Sequence, residues 1–200
     1  MKIASINVVL LAACVFFAQL AAADGDAERG ASIGYTCLGC HGIEGYRNAY
    51  PSYRVPKLGG QKTGYLIKAL RDYGDGARVH PTMQAQAASL SDAEINDVAA
   101  YLSGIGADTV AAGGTDGATI EAAKNCASCH GQDGIGLAPT WPTLAGQHQD
   151  YLLHALNQYR DGTRKDPVMS LMAAPLSADD VALLALYYSG LDGLETTEIE

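Results

Sequence analysis

The sequence predicts an all-α protein made of two tandem copies of one small helical domain. The first observation is an internal repeat, because 21 of the 47 residues from 58 to 104 recur identically 86 positions later. Such self-similarity at a fixed offset indicates a duplicated domain. The second is composition, since 48% hydrophobic residues with only 7% aromatic ones favour Ala- and Leu-rich helices over sheet. The third is a C-x-x-C-H run in each copy, at Cys37–His41 and Cys126–His130.

The two C-x-x-C-H runs carry the chemistry. Two thiols one helical turn apart can form thioethers with the vinyl groups of a haem, and the adjacent imidazole then reaches the iron. The candidate haem-binding residues are Cys37, Cys40 and His41 in the first copy, and Cys126, Cys129 and His130 in the second. A zinc site, a redox C-x-x-C and a disulfide are the alternatives. Two runs, each followed by Gly, in a chain with only one other cysteine favour two haem c groups.

The first 23 residues are typical of a secretory signal peptide. A basic Lys2 precedes an apolar run over 3–20 and small residues at 21–23, so we expect cleavage before Asp24. A retained membrane anchor is one alternative. Another is a lipoprotein, because residues 11–14 resemble a lipobox ending at Cys14, although apolar residues follow that cysteine. Export agrees with covalent haem attachment, and we therefore expect a periplasmic protein.

The mature chain divides into a first domain over 24–106, a linker over 107–116 and a second domain over 117–200. The linker is rich in Gly, Ala and Asp, and the second domain ends in a short acidic tail that we expect to be loose. Residues 24–106 carry nine acidic against eight basic residues, whereas 107–200 carry thirteen against four. An acidic chain is not expected to bind nucleic acid. The asymmetry indicates that the two halves face different partners and that two haems would differ in potential.

Each copy is expected to contain three main helices. The first carries the haem cysteines. The second runs over about 61–73 and 147–159, where apolar residues recur at helical spacing. The last begins at Ser91 or Ser177, because Ser followed three residues later by Glu or Asp is the pattern of a capping box.

Two methionines are candidates for the sixth iron ligand. Met83 and Met169 occupy the same position in the repeat, on a loop eight residues before the Ser that caps the last helix. A thioether ligand opposite the motif His raises the potential of a haem. Met172 has no counterpart, since Gln86 stands at that position, and we assign it to packing.

The remaining histidines are weaker candidates. His80 stands three residues before Met83 and is an alternative ligand, but its repeat partner is Asp166, which argues against a role shared by both haems. His148 and His154 fall in the second helix of the second copy and are expected to face solvent.

Other residues are expected to support the haems. The carbonyls of Pro56 and Pro142, on the loop after each motif, are placed to accept the Nδ1 proton of the motif His. The candidates for holding haem propionates are Gln61, Arg78, Tyr65, Gln147, Arg164 and Tyr151. Ordinary surface or core roles are the alternative for each of them.

These motifs together resemble one known family. Tandem copies of C-x-x-C-H-G, P-x-L-x-G-Q followed by Tyr-Leu, Y-x-x-G-x-R and a Met before L-S-x-x-[DE] are similar to the dihaem cytochrome c4 family, which has two class I cytochrome c domains. The resemblance implies two haem c groups, one held by His41 and Met83 and the other by His130 and Met169. It also implies a periplasmic electron carrier, often membrane-associated. The larger acidic excess of the second domain departs from the family and bears on the choice of partner.

The functional hypothesis is a monomeric electron carrier that acts on no organic substrate. The partners that the resemblance implies are a quinol-side respiratory donor and a terminal oxidase or reductase. The first alternative is a haem c subunit of a periplasmic dehydrogenase, such as a flavocytochrome or a sulfur-compound or alcohol oxidoreductase. The second is an enzyme in which one haem lacks its Met, which is disfavoured because each copy supplies a Met in register.

Overall fold

The computed structural model describes residues 25–112 and 119–196. The leader over 1–23 with its anchor and lipobox alternatives lies outside the described part. Asp24, residues 113–118 at the end of the linker and the start of the second domain, and the last four residues lie outside it as well. Within these ranges the secondary structure is helical, with two isolated β-bridges. The all-α prediction is therefore confirmed.

The first domain and the start of the predicted linker contain five helices among their described residues. They are α1 (Ala27–His41), α2 (Thr63–Gly74), α3 (Pro81–Ala88), α4 (Asp92–Gly104) and α5 (Ala107–Ala112). Its core is built around Leu38, Leu66, Val98 and Leu102, contributed by α1, α2 and α4. The core thus packs directly behind the first C-x-x-C-H run, which forms the last turn of α1.

Helices α1 and α4 cross in close contact because glycine allows it. A Cβ atom on Gly30 would lie 2.0 Å from the carbonyl oxygen of Asp97. The buried carboxylate of Asp97 accepts hydrogen bonds from Arg29 Nε (2.9 Å) and from the backbone N–H of Asp26 (2.7 Å). The Asp26 side chain in turn caps α1 by accepting from the N–H groups of the first turn. The crossing fixes the start of the haem-motif helix on the last helix of the domain.

The second domain repeats this plan with a shorter first helix. It comprises a 3₁₀ turn (Glu121–Ala123), α6 (Lys124–His130), α7 (Gln149–Asp161), α8 (Pro167–Ala173) and α9 (Ala178–Ser189). Helix α6 has 7 residues against 15 in α1. On α9, Leu183 stands where α4 has Asp97, and 47% of it is exposed. Among the described residues, this position on α9 is thus far more exposed than Asp97 on α4, which is 3% exposed.

The methionines lie on short helices rather than on loops, which corrects the sequence prediction. Met83 is on α3 and Met169 on α8, and each helix begins with a proline. Proline suits the first helical position because its missing N–H has no intrahelical partner there. Each copy therefore has a fourth helix, and that helix sets the direction of the methionine.

The last helices begin as predicted. Ser91 and Glu94 exchange side-chain-to-backbone hydrogen bonds at the start of α4, and Ser177 and Asp180 do the same at the start of α9. Both capping boxes are confirmed.

The two domains meet through an approximate two-fold arrangement. Gln61 donates from Nε2 to the carbonyl of Thr143 (3.0 Å) and accepts at Oε1 from the N–H of the same residue (2.9 Å). Gln147 makes the same pair of bonds with Lys57, at 3.0 and 2.9 Å. Gln61 and Gln147 are 86 residues apart, as are their partners Lys57 and Thr143, which is the offset of the repeat. The duplicated domains therefore pack face to face through duplicated contacts.

The C-terminal segment also joins the domains, so the expectation of a loose acidic tail is wrong for residues 194–196. Leu194 is 2% exposed and donates its N–H to Ala145. The next residue, Glu195, donates its N–H to the carbonyl of Gly59 in the first domain (3.3 Å). Thr196 Oγ1 donates to Glu44 at 2.5 Å. Of the predicted linker, 107–112 is helical as α5.

Within the described ranges, no single helix is both long and apolar enough to cross a bilayer. Helices α8 and α9 reach the required length and composition only together, and they are bent by 116° at the break between them.

Candidate haem-binding site

One cavity of about 700 Å³ is lined by residues of both domains. It brings together most of the residues that the sequence singled out. The lining includes Cys37, Cys40, His41 and Met83 from the first domain, and Cys126, His130 and Met169 from the second. Cys129, one turn after Cys126, is half-buried and is not part of the lining. The two duplicated sites thus open into a common space.

The motif histidines are oriented by the proline carbonyls. Nδ1 of His41 lies 2.7 Å from the Pro56 oxygen, and Nδ1 of His130 lies 2.8 Å from the Pro142 oxygen. A carbonyl only accepts, so each Nδ1 carries the proton and each Nε2 presents a lone pair. Burial lowers the pKa of His41 to about 4 and also lowers that of His130. Both imidazoles are therefore neutral, the form that binds a metal.

The residue before each methionine helix is its N-cap. His80 accepts at Nδ1 from the N–H of Met83 (3.3 Å), and its Nε2 lies 2.9 Å from Asn48 Oδ1. Asp166 accepts at Oδ1 from the N–H of Met169 (2.9 Å). Both ring nitrogens of His80 are thus engaged in hydrogen bonds, and His80 caps the helix that carries Met83. Sequence reasoning missed this role, although Pro at the next position was a usable signal.

Two buried arginines face the cavity. Arg78 and Arg164 are 6% and 5% exposed. Arg164 donates to the hydroxyl of Tyr65 at 3.0 Å, and Arg78 donates to the hydroxyl of Tyr151, so each reaches across the domain interface. Among the described residues neither guanidinium forms an ion pair with a carboxylate. Burial acts to raise the pKa of Tyr65, but the charges of Arg164 and Arg78 outweigh it and lower the pKa to about 8.

This arrangement fits a ligand that carries negative charge. A buried cation without a counter-charge is costly, and two of them in one cavity call for anions to neutralise them. The hydroxyl of Thr143, also in the lining, is buried without a hydrogen-bond partner among the described residues. Haem supplies carboxylates on a large apolar ring, which suits buried arginines in a largely apolar cavity.

The two glutamines have a structural role that the sequence did not reveal. The Oε1 of Gln61 accepts from Thr143 and from Lys62, and that of Gln147 accepts from Lys57 and from His148. Their amides therefore bind backbone across the interface. A propionate contact for them stays a prediction.

The expectation that two histidines face solvent is wrong. His148 is 8% exposed, and His154 stacks on Tyr53 with ring centroids 4.1 Å apart. Burial lowers the pKa of both imidazoles. Domain packing against the second helix covers them, which a single repeat considered alone could not indicate.

Two C-x-x-C-H helices, each with its proline-anchored histidine and a methionine helix, define a dihaem c-type cytochrome, which is an electron-transfer protein. Among the described residues no group of three or more His, Cys, Asp and Glu side chains is placed to hold a bare metal ion. The zinc alternative gains no support there.

The chain belongs to the cytochrome c family. The family's sequence model, described as cytochrome c, matches residues 27–105 and 114–191, one match for each domain. The chain is 35% identical to cytochrome c4 of Pseudomonas aeruginosa, over 86% of this chain and 92% of that protein. It is 36% identical to the thiosulfate dehydrogenase electron acceptor of Stutzerimonas stutzeri, over 93% and 94%. The crystal structure of reduced cytochrome c4 from Pseudomonas stutzeri superposes with a TM-score of 0.65 at 32% identity, covering 84% of this chain and all of that one. The predicted resemblance to the dihaem cytochromes c4 is thus confirmed.

Proposed function

We propose that this cytochrome is a periplasmic carrier that takes electrons from a quinol-side respiratory donor and passes them to a terminal oxidase or reductase. The observation that carries the proposal is the duplicated site: both C-x-x-C-H helices and both methionine helices line one cavity between two joined domains. Haem c, when bound, supplies the one-electron ferric/ferrous couple. A chain that holds two such groups together suits electron transfer rather than substrate chemistry.

The proposed attachment and ligand set follows the repeat. Cys37, Cys40, Cys126 and Cys129 form the thioethers, His41 and Met83 hold one iron, and His130 and Met169 hold the other. The Nδ1–H bonds to the Pro56 and Pro142 carbonyls hold each ring in position and increase the basicity of Nε2. Arg78 and Arg164 neutralise propionates inside the cavity. The methionine sulfurs raise both potentials.

A second candidate function has an observation of its own. The relative from Stutzerimonas stutzeri that covers nearly the whole chain is named a thiosulfate dehydrogenase electron acceptor. The chain then serves a periplasmic dehydrogenase, as its free acceptor or as its haem c subunit. The donor in that case is a sulfur-compound oxidoreductase rather than the quinol side of respiration.

The two functions are separated by following the haem absorption of the matured protein with each donor. Carrier function predicts that the oxidised protein is reduced by membranes supplied with a quinol substrate, and that the reduced protein is reoxidised through a terminal oxidase. Reduction only by thiosulfate together with a thiosulfate dehydrogenase supports the second function. Reduction by neither would contradict both.

The oligomeric state and the attachment to membranes are tested on protein purified from its native source. We propose a monomer that is released from membranes by salt. Elution with a second chain of fixed stoichiometry would instead favour a dehydrogenase subunit, and retention through a salt wash would favour an anchored N-terminus.

A further inference from the structure

The segment that leads into the second methionine helix is held by the first domain. Three successive residues, 164, 165 and 166, each contact the other domain. The contacts are Arg164 Nη2 to the Tyr65 hydroxyl (3.0 Å), the Lys165 N–H to the Ala77 carbonyl (2.8 Å), and Asp166 Oδ2 to Lys68 Nζ (3.3 Å). The start of α8, and with it the position of Met169, therefore depends on residues outside its own domain.

The corresponding segment of the first domain, residues 78–80, is held by different contacts. Among the described residues, only one of the three contacts is repeated at the corresponding positions. It is the arginine-to-tyrosine bond, which Arg78 makes with Tyr151. At the position of Asp166 stands His80, which is bonded to Asn48 in its own domain. At the position of Lys68 stands His154, which stacks on Tyr53. The approximate two-fold symmetry is broken at this pair of positions.

Asp166 uses its two oxygens for two purposes. Oδ1 accepts from the N–H groups of Val168 (3.0 Å) and Met169 (2.9 Å), which caps α8. Oδ2 faces the ammonium of Lys68, which is also paired at 2.5 Å with Asp72 of its own helix. The Asp166 side chain is only 17% exposed, so water screens its charge incompletely. A single carboxylate thus links the backbone of Met169 to a cation of the first domain.

We propose that Asp166 and Lys68 are positioning residues for the second haem. Asp166 sets the helix that places Met169, and Lys68 neutralises the carboxylate from across the interface. Through this contact the first domain tunes the potential of the haem in the second domain. Among the described residues no equivalent contact runs in the opposite direction. The inference rests on the proposed function, in which Met169 is an iron ligand.

Opposite substitutions move the second potential in opposite directions. Lys68→Gln leaves a negative charge beside the methionine helix, which favours ferric iron and lowers the midpoint of the second haem. Asp166→Asn keeps an oxygen able to cap the helix but removes the charge, which raises that midpoint. We expect each change to alter the ferric-to-ferrous ratio at a fixed potential about threefold or more. The double variant returns towards the native value.

The test is a spectroelectrochemical titration of the matured dihaem protein. Met83→His and Met169→His identify the two haems, because replacing Met by His lowers the midpoint of the haem concerned. Arg71→Gln is the matched control: it removes one positive charge from the same helix, where Arg71 pairs with the exposed Asp92. Lys68→Arg keeps the charge and is expected to preserve the native midpoints. Asp166→Ala loses the cap as well and is expected to let carbon monoxide bind to the second haem.

The outcomes separate the two proposals. A fall in the second midpoint alone with Lys68→Gln, and none with Arg71→Gln, supports the inference. Equal shifts of both haems, or no shift with either charge variant, would overturn it while leaving the ligand assignment standing. If Met169→His moved neither midpoint, Met169 would not be a ligand, and the inference would fall with the proposed function.

Discussion

At the scale of single residues, the environments of Arg78 and Arg164 indicate most directly that the ligand is negatively charged. Each is buried, faces the shared cavity and donates to a tyrosine hydroxyl of the other domain. A neutral tyrosine hydroxyl does not neutralise the charge of a guanidinium. The negative charge that neutralises Arg78 and Arg164 therefore has to be carried by the ligand in the cavity. Proposed haem propionates meet that need in both sites.

Replacing one of these arginines tests the assignment. Arg78→Gln is expected to lower the midpoint of one haem, because a cation that offsets the propionates is lost, and to lower the free energy of unfolding by about 2 kcal/mol. Arg78→Lys keeps the charge but loses the planar guanidinium. Its midpoint and its free energy of unfolding should therefore lie between those of the native protein and of Arg78→Gln. Redox titration and thermal unfolding of the matured protein measure both effects.

The control for that comparison is Arg160→Gln, since Arg160 is exposed and donates from Nη1 to Asn157 Oδ1 of the same helix (3.0 Å). Midpoints that respond equally to the two changes would contradict a specific role for Arg78.

Single residues were predictable where the repeat and a known chemistry coincided. The hydrogen bonds from His41 and His130 to proline carbonyls were predictable because each repeat has a proline on the loop that follows its C-x-x-C-H motif. The burial of His148 and the cross-domain use of Gln61 did not follow, because both are created by docking of the domains. A pattern within one repeat carries no information about the surface that the other repeat covers.

At the scale of elements, the crossing of α1 and α4 holds the first haem motif on the domain core. Gly30 permits the close approach, and Asp97 receives Arg29 and the N–H of Asp26 at the same place. Among the described residues the second domain has no such crossing, because its first helix is about half as long.

Two glycine substitutions in α1 should have opposite effects. Gly30→Ala places a Cβ atom 2.0 Å from a carbonyl oxygen and is expected to destabilise the protein by about 3 kcal/mol through overpacking. Gly39→Ala meets no atom within 4 Å and should stabilise the helix by about 0.5–1 kcal/mol. Chemical denaturation of the two matured variants measures the difference. Similar stabilities would show that the crossing does not depend on Gly30.

Helices with strong terminal signals were predicted well, and short ones were not. The capping boxes at Ser91 and Ser177 located α4 and α9 to within a residue. Helices α3 and α8 have only 8 and 7 residues, too few to show an apolar period, so the sequence alone predicts loops there. Their caps, His80 and Asp166, differ in chemistry, so the repeat comparison concealed a shared function.

For the whole molecule, duplication explains the interface. Gln61 and Gln147 each exchange two hydrogen bonds with the backbone of the opposite domain, at positions related by the repeat offset. Each bond is buried or partly buried, so removing its side chain leaves backbone groups without partners. The interface therefore contributes to the stability of both domains.

Gln61→Leu and Gln147→Leu are each expected to lower the free energy of unfolding by about 2 kcal/mol. Each removes two hydrogen bonds to the opposite domain and a third to the N–H of the following residue, and leaves two N–H groups and a carbonyl unsatisfied. The approximate symmetry predicts similar losses. Gln149→Leu, at an exposed position of α7, is the control and should change stability by less than about 0.5 kcal/mol. A loss in only one of the two interface variants would show that the contacts are not equivalent.

The C-terminal segment is a second connection between the domains. Leu194→Ala is expected to lower the free energy of unfolding by about 3 kcal/mol, since Leu194 is 2% exposed and anchors the residues that reach Gly59 and Glu44. Leu183→Ala, at a position that is 47% exposed, is the comparison and should change it little. Equal effects in thermal unfolding would mean that this segment is as loose as its acidic composition first indicated.

The central claim is that both irons are held by a histidine and a methionine in two covalently attached haems. The most direct measurement is the absorption spectrum of the matured protein, oxidised and reduced, with and without carbon monoxide, together with the haem content per chain. We predict two covalent haems whose spectra do not change with the gas. A single haem per chain would contradict the attachment of two haems. A haem that binds carbon monoxide readily would contradict the assignment of Met83 or Met169 and favour a site that does chemistry.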